Sequence, residues 1–291
     1  MSGKLGEIEA RIAATDQLDA VVGAMRGIAA SRSREAQGRL PGIRAAAAAA
    51  AGAIAEVLAF APANASPRSP DAGQGTEVCV VVGTEQGFVG GLNDQIAAQA
   101  LSDAARETAR ARQWLLVGTR LTSAFAGRGV APAWSAPMAP HSSVVPRLAA
   151  RVSDALYARL ADGGHATRVS VLHALAGEPS LRIVRRTLIP FDFARFHVSP
   201  RTQPPLVNLP PAPLLAGLVE FYVYTELCEA LMLAFAAENE ARVRAMLAAR
   251  THVQQRLGGL EQQYRALRQD EITAEIVELT TGREAAGIAG D

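Results

Sequence analysis

The stretch Gly83-Thr84-Glu85-Gln86-Gly87-Phe88-Val89-Gly90-Gly91-Leu92-Asn93 comes nearest to a chemical site. It follows an apolar run and opens a helical pattern, which is where free backbone N–H groups cradle a phosphate. It matches neither GxxxxGK[ST] nor GxGxxG, and no lysine stands in it to meet a phosphate. Two readings remain, a nucleotide-binding loop and a structural tight turn, and the missing lysine favours the turn.

Other chemistries find less support. His141, His165, His173, His197 and His252 are scattered, without HExxH or Cys/His ligand spacing, so no metal site and no cofactor is expected. No GxSxG elbow is present, and no catalytic residue is expected within this chain. The paired acids Glu238 and Glu240, and Glu275 and Glu278, fall on charge-rich helical patterns and read as solvated or intersubunit ion pairs.

Charge excludes a further class. Twenty-nine Lys and Arg against 28 Asp and Glu give a formal charge of +1, which provides no global field for nucleic acid. Locally, Arg26, Arg32, Arg34, Arg39 and Arg44 alternate with Glu35 and carry no interleaved aromatics, a pattern that fits protein contact better than RNA or DNA. Cys79 and Cys228 lie far apart with no CxxC spacing, consistent with a reducing compartment. The first twenty residues lack the apolar core of a signal peptide, and the alanine run from Ala45 to Ala55 is too short to be read as a membrane span.

The elements that must hold these residues follow from periodicity. Residues 1–60 read as one long helix, with Leu5, Ile8, Ile12, Leu18, Val22, Met25, Ala29, Ala36, Leu40 and Ile43 recurring mostly at spacings of three and four. Pro41 either bends that helix or divides it in two. Residues 61–75 form a breaker-rich linker. Within 76–199, strand patterns at Glu77–Gly83 and Trp114–Gly118 alternate with helical patterns at Leu92–Arg112 and Pro146–Asp162. That alternation predicts an α/β domain with parallel strands. Ala131–Pro146 reads as irregular, and Thr167–Leu175 with Leu181–Pro190 as an antiparallel hairpin.

A proline-dense connector, 200–213, precedes a second long helix over 214–285. Its Met246, Val253, Leu257, Leu260 and Tyr264 repeat at seam spacing and call for another helix against them. The N-terminal helix, through Ile8, Ile12 and Val22, is the obvious antiparallel partner; packing of both helices onto the α/β domain satisfies the periodicity equally. Gly258-Gly259 inside the seam costs about 2 kcal/mol of helix propensity, as a close contact, a bend or a tolerated weakness.

Both ends resemble the gamma subunit of the F-type ATP synthase. The N-terminal likeness rests on Ile8, Arg11, Ile12, Ala13, Ala24-Met25 and Ala29-Ala30-Ser31-Arg32. The C-terminal likeness rests on Glu238, Ala241, Arg242, Ala245 and Met246, then Tyr264, Arg268-Gln269, Ile272-Thr273, Glu275-Ile276, Glu278-Leu279 and Gly282, which resembles the family's RQxxITxE ending. Between them Gly90-Gly91-Leu92-Asn93 resembles the family's GLCGGLN. Phe88-Val89 in place of Leu-Cys, Arg32 in place of lysine, and the absence of asparagine from Leu247–Val253 mark a divergent branch.

The resemblance implies a long antiparallel coiled coil of N- and C-terminal helices with a central Rossmann-like α/β domain. It implies a non-catalytic rotor shaft whose partners are the alpha, beta and epsilon subunits and the c-ring, with indirect membrane association at the cytoplasmic face of the bacterial inner membrane. By motif position, Arg268, Gln269, Thr273 and Glu275 would meet the catalytic subunits. Met25 and Arg26 would face the stator from the other helix, and Gly87, Gly90, Gly91 and Asn93 would form the central loop. A soluble nucleotide-binding α/β protein and a coiled-coil adaptor are the alternative functions.

Overall fold

The computed structural model describes residues 2–60, 75–106, 111–161, 166–177, 180–190 and 206–288. Residues 61–74 of the expected linker and 200–205 of the connector expected over 200–213 lie outside them. Helix α1 (Ser2–Phe60) is followed by β1 (Thr76–Val82), α2 (Leu92–Arg106), β2 (Arg112–Val117), α3 (Thr119–Ala126), β3 (Trp134–Ala136), α4 (Val145–Ala161), β4 (Ala166–Leu175), β5 (Arg182–Ile189) and α5 (Pro211–Ile288).

Helix α1 is continuous over 59 residues, with Pro41 inside it. The ring removes one backbone hydrogen bond, but Gln37, Gly38 and Pro41 are all exposed, so the orphaned carbonyl is left to water and the helix is not divided. Helix α5 begins inside the proline-dense stretch, three residues before the periodicity suggests, because Pro211 needs no N–H donor in a first turn.

The chain divides into two compact units, residues 29–242 and the two terminal segments 1–28 and 243–291. In the larger unit a five-stranded sheet has the order β3-β2-β1-β4-β5. Strands β1, β2, β3 and β4 are parallel and β5 is antiparallel to β4. Strand β1 sits at the centre, and its Val78 to Val82 run is buried on both faces, as a parallel strand covered by helices requires.

One face of the sheet, through Val78, Val80, Leu115 and Val171, packs on Leu148 and Val152 of α4, Ala36 and Leu40 of α1, and Val223, Leu227 and Leu231 of α5. The other face, through Cys79, Val81, Leu116 and Leu172, packs on Ile96 and Ala100 of α2, Leu121 and Phe125 of α3, and Ala237 and Ala241 of α5. Both cysteines are buried and unbridged.

Three local expectations change. The helical pattern Leu92–Arg112 stops at Arg106, and Arg112 instead opens β2, where its guanidinium reaches Glu77 of β1. The irregular stretch Ala131–Pro146 contains the short edge strand β3 and a 3-10 turn at Ser142–Val144. Helix α3 had no separate periodic signal, since at 8 residues it is barely two turns.

Within this larger unit α1 and α5 are antiparallel. Ser33 Oγ donates to the Ala236 carbonyl at 3.4 Å, Arg44 Nε to Glu229 at 2.7 Å, and Ala50, Ile54 and Val57 cluster with Leu215 and Tyr222. Helix α1 also contains an 18-residue window of mean hydropathy 1.5, long and apolar enough by length and composition to cross a membrane. No such span is expected from sequence, because the alanine run is short. Its apolar flanks raise the window mean, and the Ile54 cluster shows one face of this segment spent on protein packing.

In the smaller unit the same two helices are again antiparallel. Asp19 pairs with Arg250, and the Tyr264 hydroxyl lies beside Glu9, whose carboxylate pushes the phenol pKa up. Of the positions expected at the seam, Val22, Met246, Val253 and Leu260 are buried, and Ile8, Ile12, Leu257 and Tyr264 half-buried. Leu18, counted with the inward periodicity, is instead 51% exposed. A Cβ built at Gly258 or Gly259 would meet nothing within 4 Å, so close helix contact does not explain these glycines.

Candidate functional site

The glycine-rich loop after β1 is closed upon itself. Asn93 accepts from the Thr84 backbone N–H at 3.0 Å and donates from Nδ2 to Thr84 Oγ1 at 2.8 Å, while Thr84 Oγ1 donates to the Gln86 carbonyl at 3.1 Å. A Cβ on Gly83 would lie 2.4 Å from Leu121 Cβ, so only glycine lets the loop leave β1 against α3.

Two carboxylates complete the loop. Glu85 accepts from Thr119 Oγ1 at 2.6 Å, Thr119 N–H at 3.1 Å and Met138 N–H at 2.9 Å. Burial pushes its pKa up, but the Thr119 and Met138 hydrogen bonds outweigh that and hold it below the usual carboxylate value. Glu238 of α5 accepts from the Gln86 N–H at 3.3 Å and from Arg242 Nη2 at 2.7 Å. Here burial dominates and the pKa is raised, despite Arg242.

These contacts decide between the two readings of the loop. The N–H groups of Thr84 and Gln86 already donate to side-chain oxygens, and the carboxylates of Glu85 and Glu238 stand at the loop. A phosphate would meet occupied donors and like charge, so the tight turn is the reading that fits. Gly87 and Asn93 are half-buried, and Gly90 and Gly91 exposed, with Gly90 at φ +63°. Phe88, which no spacing argument singles out, takes φ +59° and is 67% exposed.

Glu238 is therefore no solvated acid. It and Arg242 are 4% and 6% exposed, and the signal that could have paired them is their i,i+4 spacing on one helical face. Glu275 and Glu278, by contrast, are exposed.

The remaining motif positions lie on the helical pair of the smaller unit. Arg268, Gln269, Thr273 and Glu275 are all exposed on α5, with Thr273 Oγ1 donating to the Gln269 carbonyl at 2.8 Å. Met25 and Arg26 are half-buried on α1. Leu18, Val21 and Ile28 stand exposed nearby in sequence at three- and four-residue steps from Met25, an apolar stripe that the seam pattern obscures. Among the described residues, no group of three or more His, Cys, Asp or Glu could hold a metal ion.

The family model described as ATP synthase matches residues 4–286. The gamma chain of Akkermansia muciniphila ATP synthase is 26% identical, with 97% of this chain and 99% of that one covered. The gamma chain of Erythrobacter litoralis is 28% identical, with coverage of 97% and 99%. In fold the chain is similar to a component of the Euglena gracilis mitochondrial ATP synthase OSCP/F1/c-ring structure, with a TM-score of 0.64 at 12% identity, covering 98% of this chain and 95% of that one. A chain of the Tetrahymena thermophila central stalk/c-ring structure gives 0.58 at 18% identity, with 79% and 99% covered. This chain belongs to the ATP synthase gamma-subunit family. Its role is that of the central-stalk rotor.

Proposed function

We propose that the chain transmits torque between an ion-driven c-ring and the catalytic hexamer of alpha and beta subunits, and that it catalyses no reaction itself. The observation that carries this reading is the family match over residues 4–286 together with the outward presentation of its C-terminal motif. Arg268, Gln269, Thr273 and Glu275 are all exposed on α5, beyond the last buried seam residue, Leu260.

In this reading those four residues meet the inner loops of the catalytic subunits, with Met25 and Arg26 facing the stator from α1. The extreme C-terminus occupies the upper bearing. The α/β domain sits lower, beside epsilon and the c-ring. The complex holds the chain peripherally at the cytoplasmic face of the bacterial inner membrane. Torque transfer requires the shaft to contact each catalytic site differently, because equal contacts shift no population. An asymmetric pair of unlike helices supplies that difference.

Co-expression with the alpha and beta subunits of the same organism tests the proposal. A stable complex whose ATP hydrolysis falls on deletion of residues 268–291 is the expected result. A chain that stays alone and binds ATP would overturn it in favour of the glycine loop.

A further inference from the structure

Helix α5 grips the loop after β1 by its backbone, at two adjacent residues. The Gln86 N–H donates to Glu238 Oε1 at 3.3 Å, and Arg242 Nε donates to the Gly87 carbonyl at 3.3 Å. The two side chains are joined by the 2.7 Å ion pair, and Arg242 Nη1 donates in addition to Asn239 Oδ1 at 3.2 Å. Asn239 is itself anchored by Nδ2 to the Phe235 carbonyl at 2.8 Å. Glu238, Asn239 and Arg242 are all more than nine-tenths buried.

Such a cluster is costly to bury and is weak evidence for stability as such, since an apolar replacement of equal volume serves a core as well. What it supplies is direction and register. A hydrogen-bonded charge pair fixes one orientation of the loop relative to the helix, where apolar packing tolerates sliding. The loop held in this way is also braced from the sheet side, through Glu85 to Thr119 and Met138. Loop, α3, the segment after β3 and α5 thus form one hydrogen-bonded chain of contacts.

We propose that Glu238 and Arg242 are positioning residues that lock the α/β domain to α5, so that rotation of one is rotation of the other. This rests on the rotor reading above. The pair touches no substrate, and its role is to remove slip between the helix that carries the C-terminal motif and the domain built on the β1 loop.

The test uses the assembled, membrane-bound synthase carrying R242A, R242K or E238Q. Amide hydrogen exchange at residues 84–88 and the ratio of ions pumped to ATP hydrolysed are both measured. In R242A, loop exchange is expected to rise about tenfold. The pumping ratio should fall by about half or more while hydrolysis stays within about twofold of the parent. R242K restores the charge beside Glu238 but not the forked second donor to Gly87, so its ratio should follow R242A. E238Q keeps an acceptor for Gln86 and should lie between R242A and the parent.

Loosened exchange with an unchanged pumping ratio would overturn the proposal, as would pumping and hydrolysis falling in proportion. Should R242A fail to assemble, R242K and E238Q decide by the same criteria. Failure of the rotor reading itself shows separately, as a parent chain that does not join the alpha and beta subunits.

Discussion

Arg250 holds Asp19 across 231 residues of chain with two parallel hydrogen bonds, Nε to Oδ1 at 3.1 Å and Nη2 to Oδ2 at 3.2 Å. The fork ties one position of α1 to one position of α5 in the terminal helical pair, adding a directional contact to the apolar seam. Both side chains are partly exposed, which limits the strength of the pair. A double-mutant cycle of Asp19→Ala and Arg250→Ala, read by urea unfolding, should return a coupling of about 1 kcal/mol. Zero coupling would assign the register to the seam alone.

Glu77 is wholly buried at the start of β1, hydrogen-bonded by Arg112 at 2.8 Å, by Ser170 at 2.7 Å and by Arg185. Burial pushes its pKa up, but these three partners outweigh it and lower the pKa from 4.5 to about 2. A carboxylate depressed in the folded state contributes stability above its unfolded pKa, and that contribution is lost as pH falls through the folded one. The chain should therefore lose about 3 kcal/mol between roughly pH 4.5 and 2 from this group. Melting curves of Glu77→Gln should show a flatter acid limb than the parent; an identical limb would assign the acid sensitivity elsewhere.

Gly259 is exposed in the middle of α5, with nothing within 4 Å of where a Cβ would be. Gly259→Ala should raise stability by about 1 kcal/mol through helix propensity alone. A lower melting temperature would mean that this glycine serves a bend or contact made in the assembled complex, the reading that spacing leaves open.

Gly118 carries the opposite expectation. It sits between β2 and α3 at φ +104°, and a Cβ there would lie 2.7 Å from the Thr84 carbonyl oxygen. Gly118→Ala should cost about 3 kcal/mol, combining backbone strain with displacement of the Thr84 turn. A thermal shift smaller than that of a conservative core change such as Val80→Ala would show that the loop gives way freely.

Much of the architecture was legible because its signals are long or repetitive. The two terminal helices declare themselves over dozens of residues. The Val78–Val82 run, with strand and helix alternating after it, declares a parallel sheet. The hairpin Thr167–Leu175 with Leu181–Pro190 corresponds to β4 and β5 almost residue for residue, since both strands are bounded by breakers. What escaped was short: α3 at 8 residues and β3 at 3 give periodicity too few turns to register.

Charge was the harder matter. Glu238 and Glu275 look alike along the chain, each an acid on a helix with another acid close behind. One is 4% exposed and bound to Arg242 and the Gln86 N–H, while the other faces outward. Leu18 and Val22 share a helix and an apolar character, yet Val22 is buried and Leu18 exposed.

The sequence by itself determined the family, the two long helices and the alternating centre, because motif order and local periodicity are properties of neighbouring residues. Only the tertiary structure decided that the glycine loop is a satisfied turn and that Glu238 and Arg242 hold it. It alone paired Asp19 with Arg250. Those facts depend on which groups from distant segments meet, and on whether a polar atom is left to water or to a partner, neither of which local spacing encodes.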